Sequence, residues 1–389
     1  MAFEPSTVKS IIEARGLSVD EVAASASMSV KRVLATLAGE NIPTKNQIIN
    51  LANRLAVPPH AFFTNKFNIA PSPIVDFRAS KPESLKYGKD AGKFEYIFTL
   101  RDFLAELYRR LDLDAPEALF SSEPDENPEQ FARSVESHLE LNHIRSAANT
   151  KAEFYQLLRQ KVEKLGIFVI QDHNISAKID GFALYHAQFT SNLIFINTLK
   201  RNHGAKSFTL AHELAHIFGK RSAITNNYEY DNEVETYANE FAASLLIPRE
   251  ELIAELNTKK YFFNSYDVSR QSAERLSEKF KCSVSAMLVR LQRLGYSKPE
   301  YTRTFLAGFG KANFLDAEKP QAFGPKDGPK PGVVDLAYLG PRAVSIIVTA
   351  LERGLTNKYE VYENTGLSKK RIEGLIQVAA DREFAKEYA

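Results

Sequence analysis

The stretch from Phe208 to Lys220, FTLAHELAHIFGK, constrains the fold more than any other part of the chain. It sets two histidines four residues apart, with a glutamate directly after the first. On an α-helix, positions i and i+4 lie about 40° apart around the axis and roughly 6 Å from one another. His212 and His216 can then hold one ion between them. Glu213, turned by about 100°, can reach a water on that ion without ligating it. Phe208, Leu214, Ile217 and Phe218 give this helix an apolar body, and Gly219, followed by Lys220 and Arg221, marks its end. The bland alternative is a buried helix whose histidines only pack. A third ligand separates the two readings, because a catalytic zinc takes three protein ligands and keeps one position open.

The segment DNEVETYANEFAASLLIP, beginning at Asp231, supplies candidates. Asp231, Glu233, Glu235 and Glu240 fall on a second expected helix over about 231–246, stopped by Pro248. Glu235 is the expected ligand. Asn239 lies one turn on and can hydrogen-bond a ligand histidine. Glu233 and Glu240 are expected to solvate the helix face. The small pair at 242–243 would let the two helices approach closely. Zinc bound there would lower the pKa of a water and polarise a carbonyl. Glu213 would take the proton from that water and deliver it to a leaving nitrogen. The expected reaction is peptide-bond hydrolysis. The run NLIFIN (192–197) is expected as a sheet edge beside the cleft, onto which an extended substrate would add as another strand.

Around this centre the chain reads as mainly α with a small β-sheet, an α+β protein. Residues 1–66 hold several short helices, with Ser18, Ser29 and Thr44 placed to open them. A proline-rich linker is expected at 67–82. A helical lead-in and the zinc domain occupy 83–260. The strand-like runs IFVIQD, GFALYHA and NLIFIN lie within it, and the amphipathic helix KAEFYQLLRQKVEKLG precedes them. Residues 261–317 have a helix-turn-helix-like pattern, 318–332 form a Pro/Gly-rich linker, and 333–389 form a carboxy-terminal helical domain.

The single cysteine, Cys282, cannot form an internal disulfide, which fits a reducing compartment. The first ten residues lack the pattern of a signal peptide, and no apolar run reaches transmembrane length. A cytoplasmic location is expected. The other histidines show no ligand spacing. No Gly-rich phosphate loop occurs, so no nucleotide is expected.

Several motifs together resemble the ImmA/IrrE metallopeptidases fused to an N-terminal Xre-type, lambda-repressor-like helix-turn-helix. They are DGF at 180–182, IFIN at 194–197, FTLAHELAHIF at 208–218 and ETYANEFAASLLIP at 235–248. VDFR at 75–78 and the tail from Tyr338 onward are similar to segments of longer members. The resemblance implies a gluzincin-like zinc peptidase in which His212, His216 and Glu235 hold the metal and Glu213 is catalytic. It also implies a recognition helix at 29–37, although Leu37 and Ala38 stand where many relatives carry tryptophan and glutamate.

On that helix Ser29, Lys31, Arg32 and Thr36 are candidate DNA contacts, and Lys45 at the next helix start can meet a phosphate. Residues 1–66 carry seven basic against five acidic residues, a thin excess for a DNA-binding domain. The leading expectation is a regulatory endopeptidase that cleaves a transcriptional repressor or other regulator, in stress response or mobile-element control, with a DNA operator as partner. The competing expectation is a DNA-binding regulator or antitoxin that holds a partner, such as a toxin, without cleaving it. A homodimer is compatible with both.

Overall fold

The computed structural model describes residues 3–14, 18–55, 57, 59–63, 91–113, 126–175, 179–187, 192–199, 202–220, 223–226, 233–258, 260–261, 263–264, 267–311 and 331–381. The linker expected at 67–82 lies outside these residues. So does the one expected at 318–332, except for its last two positions.

The amino-terminal part is a bundle of α1 (Pro5–Ala14), α2 (Val19–Ala26), α3 (Val30–Leu37) and α4 (Lys45–Leu55), with a 3-10 turn at Pro59–Phe63. Val8, Ile11, Val22, Val33, Leu51, Leu55 and Phe62 form its core. Caps define its helices. Ser29 Oγ accepts the Arg32 amide, while Thr44 and Gln47 exchange side-chain bonds with each other's backbone N–H in a capping box. Gly39 ends the turn after α3 with φ +77°, a conformation glycine adopts without strain.

The central part begins with α5 (Ala91–Arg110), α6 (Pro128–Leu139), α7 (Leu141–Ala147) and α8 (Lys151–Lys164). Thr150 caps α8, and Gly166 closes it with positive φ. The strands β1 (Phe168–Asp172), β2 (Ile179–Leu184) and β3 (Leu193–Asn197) follow, then α9 (His203–Phe218), β4 (Ala223–Asn226) and α10 (Glu233–Leu246). The sheet order is β1-β3-β2-β4. β3 pairs parallel with β1 and antiparallel with β2, and β2 pairs antiparallel with β4.

This order corrects the expectation for residues 192–197. β3 is an inner strand, hydrogen-bonded on both sides and buried throughout, so no substrate strand can add to it. Its unbroken apolar run is the mark of a strand covered on both faces.

Period-two alternation divides the sheet between two cores. Val169, Ala183, Ile194 and Ile196 face α8 and α9. Phe168, Ile170, Phe182, Leu184 and Phe195 join the apolar face of α5 and the carboxy-terminal helices. Phe182 and Phe195 stack at 4.8 Å.

Next come α11 (Arg249–Leu256), a small hairpin of β5 (Phe263–Asn264) and β6 (Asp267–Val268), then α12 (Arg270–Lys279), α13 (Val284–Arg293) and α14 (Pro299–Lys311). The last helices are α15 (Pro331–Leu339), α16 (Pro341–Glu352), α17 (Lys358–Thr365) and α18 (Lys369–Asp381). Among the described residues no single helix is long and apolar enough to cross a membrane. The apolar pair α15–α16 is bent by 115°.

A buried ion pair ties this tail to the sheet. Arg159 and Glu163 of α8 are almost fully enclosed and bond to each other at 3.1 Å. Arg159 also donates to the carbonyls of Val169, Ala337 and Tyr338. Glu163 accepts the Arg342 amide at 3.0 Å. Burial pushes the Glu163 carboxyl up to about 7, against the opposing pull of Arg159. Gly340 closes over the pair with φ +85°, and a Cβ there would run into Glu163 Oε1 and Arg159 Nη2. Gly340→Ala is therefore expected to cost on the order of 3 kcal/mol, because it both strains the backbone and breaks a buried pair. Urea denaturation monitored by circular dichroism measures this. An unchanged midpoint would contradict the close packing at Gly340.

Candidate metal centre

α9 is capped at its start by Asn202, whose Oδ1 accepts the Ala205 amide at 3.0 Å, and at its end by Gly219. From Leu210 to Phe218 every residue is buried. Phe131 of α6, Phe218 of α9 and Phe241 of α10 meet with ring centroids 5.4–6.0 Å apart and lock three helices together. Ala238 and Ala242, both buried, keep the α10 side of this contact thin.

That approach brings His212, His216 and Glu235 together, with ligand atoms all within 4.8 Å of one another. The two Nε2 atoms are 3.1 Å apart. Glu235 Oε2 lies 3.3 Å from His212 Nε2, and Oε1 lies 3.4 Å from His216 Nε2. Ligands about 2.0–2.1 Å from a tetrahedral ion stand roughly 3.3 Å from each other, so this triangle has the dimensions of one face of such a site.

The donor set also suits a cation. Asn239 Oδ1 lies 3.1 Å from His212 Nδ1. With Nδ1–H donating to that oxygen, a neutral ring turns its Nε2 lone pair toward Glu235 and His216. Burial opposes ionisation of Glu235; when His212 and His216 instead carry protons on Nε2, their hydrogen bonds and charge outweigh burial and hold the carboxyl well below the usual range. Two imidazoles and a carboxylate are a donor set that zinc accepts.

Glu213 is fully buried beside them. The strand β2 passes directly over it at Gly181. A Cβ at Gly181 would stand 3.0 Å from Glu213 Oε1, 2.7 Å from Thr209 Cγ2 and 2.8 Å from the Phe195 carbonyl oxygen. Glycine is what lets the sheet approach the α9 carboxylate so closely. The DGF motif contains this residue, but only the fold reveals its role.

Of the other acidic candidates, Glu233 is exposed, Glu240 pairs with Arg293 at 3.2 Å, and Asp231 lies outside the described residues.

Of the amino-terminal candidates, Ser29, Lys31, Arg32 and Thr36 lie on α3 or at its cap, and Lys45 opens α4. Ser29 caps α3. Lys31, Arg32 and Lys45 are exposed. Thr36 corrects the expectation of a base contact. It is buried, and its hydroxyl bonds to Arg32 O at 2.9 Å and to Asn41 Oδ1 at 2.6 Å, which leaves it facing the bundle interior. Val30 and Leu34, in contrast, are exposed apolar residues on the same helix.

Residues 162–292 match the family model of the M78 peptidases, described as the IrrE N-terminal-like domain. The match runs from the last turn of α8 to the end of α13 and contains the whole histidine–glutamate cluster. It marks this part of the chain as a peptidase-type domain. Among curated proteins no match is found.

Asn239→Ala is expected to weaken Zn2+ binding by about 10- to 100-fold, the usual effect of removing a partner that orients a ligand histidine. Competition with a chromogenic zinc chelator measures this. An unaltered affinity would show that Asn239 does not orient His212.

Proposed function

We propose that the chain is a zinc-dependent endopeptidase with a narrow, regulatory substrate, such as a transcriptional repressor or another regulator. The observation that carries this reading is the buried triangle of His212, His216 and Glu235 with Glu213 next to it, inside a peptidase-type domain. A zinc ion held by the three residues would supply a water of lowered pKa and polarise the substrate carbonyl. Glu213 takes the proton from the attacking water on its carboxylate and passes it to the leaving nitrogen. Asn239 fixes the tautomer and orientation of His212. The β2 backbone at Gly181 limits the space in which the Glu213 carboxylate can move.

The helical bundle that precedes this domain supports a regulatory rather than digestive role. Its exposed Lys31, Arg32 and Lys45 support contact with a DNA operator. A second reading, in which the chain holds a partner protein without cutting it, is favoured by Val30 and Leu34. An exposed apolar helix face suits a protein better than a phosphate backbone.

Glu213→Gln separates the two. This variant is expected to keep its zinc and to lose cleavage by about 10²- to 10⁴-fold, the scale of general-base catalysis. Proteins recovered with wild type and variant from the native cells are compared by mass spectrometry. A partner intact on the variant and cut by wild type supports the peptidase. A partner held equally by both and never cut supports the second reading and removes the first.

A further inference from the structure

Beside the histidine–glutamate cluster lies a cavity of about 370 Å³, walled by α9, α10, α13 and α14 and by the ends of β2 and β3. We propose that it receives a large apolar side chain of the substrate, next to the bond that is cut. This assignment rests on the peptidase reading and names the substrate class for that site.

The position of the cavity follows from two of its lining residues. Thr209 lies on α9 one turn before His212 and Glu213. Asn239 contacts His212 directly. A side chain entering here therefore belongs to a residue close to the reacting carbonyl.

Its chemistry follows from the rest of the lining. Phe208, Val289 and Leu306 supply apolar surface, alanines at 243 and 286 leave the space that larger residues would fill, and Asn197, Ser283 and Ser285 add uncharged polar groups. The charged groups nearby are engaged within the protein. Arg293 pairs with Glu240, the Lys206 ammonium lies 5.9 Å from the centre of the Tyr155 ring, and Asp180 has interactions of its own. An apolar group in the cavity thus meets walls that are more apolar than polar, and the nearby charges already have interactions within the protein. The volume is ample, since a cavity of about 150 Å³ already holds a benzene ring.

The walls are set before any substrate arrives. Gly204, in the first turn of α9, rests directly on the chain that enters α13. A Cβ there would lie 2.6 Å from both Cys282 C and Ser283 N. Leu306 comes from α14, beyond the residues that match the peptidase family. One wall of the cavity therefore comes from outside the matched domain.

The test uses the full-length chain loaded with Zn2+, after its metal content has been measured. Three hydroxamate probes carry hydrogen, isobutyl or benzyl as the side group, and their Kd values are read by calorimetry. The isobutyl and benzyl probes are expected to bind at least about 10-fold more tightly than the hydrogen probe. Ala286→Phe, which fills the cavity, is expected to abolish that preference and leave the hydrogen probe unchanged. Leu306→Ala provides a milder second variant, expected to weaken the benzyl probe alone.

Equal affinities for all three probes in the wild type would overturn the subsite and leave the metal site standing. So would a preference that survives both substitutions. Failure to bind Zn2+ or any hydroxamate would overturn the metal site and the subsite together.

Discussion

The close packing of α9 against α10 is the contact on which the functional end of this molecule depends. Two imidazoles and a carboxylate, all buried, are brought within 3.1–3.4 Å of one another by that contact. Such a group of acceptors is costly to enclose without a cation or shared protons to bind them. The surrounding structure secures the cost: three phenylalanines lock α6, α9 and α10, small residues on α10 allow close approach, and Asn239 orients one histidine. The arrangement is stable as a packed core and is chemically suited to an ion.

The sheet serves this centre from both sides. One face packs on α8 and α9 and carries Gly181 to the Glu213 carboxylate. The other is covered by α5 and the carboxy-terminal helices. Residues 331–381 are thus part of the support beneath the centre, keyed in place by Gly340 and the buried Arg159–Glu163 pair. Displacing this tail would uncover Phe168, Phe182 and Phe195, so the stability of the site and the docking of the tail are linked.

The meeting of His212, His216 and Glu235 was legible in the sequence because the histidine spacing is local. Two histidines one turn apart share a face on any helix, and the ligand chemistry of zinc limits the choice of a third. Helix starts at Ser29 and Thr44 were legible through their capping side chains. Strand order was not. The expectation that residues 192–197 form an edge failed because order depends on crossovers that local pattern does not record, although the unbroken LIFIN run already fitted an inner strand. Thr36 shows the same limit at smaller scale, since its burial depends on how α3 is rotated against its neighbours. The four-residue β4 and the tail's place on the sheet are products of distant contacts. The cavity by Phe208 was equally hidden, because alanines leave a visible space only once the opposing helix is known.

The most direct test of the central claim is the metal content of purified wild-type protein and of Glu235→Ala, measured by inductively coupled plasma mass spectrometry after dialysis. About one zinc per chain is expected in wild type, with a near-complete loss in Glu235→Ala and the fold preserved by circular dichroism. Wild-type protein without zinc, or a Glu235→Ala protein that retains it in full, would contradict the assignment of His212, His216 and Glu235 as the metal centre.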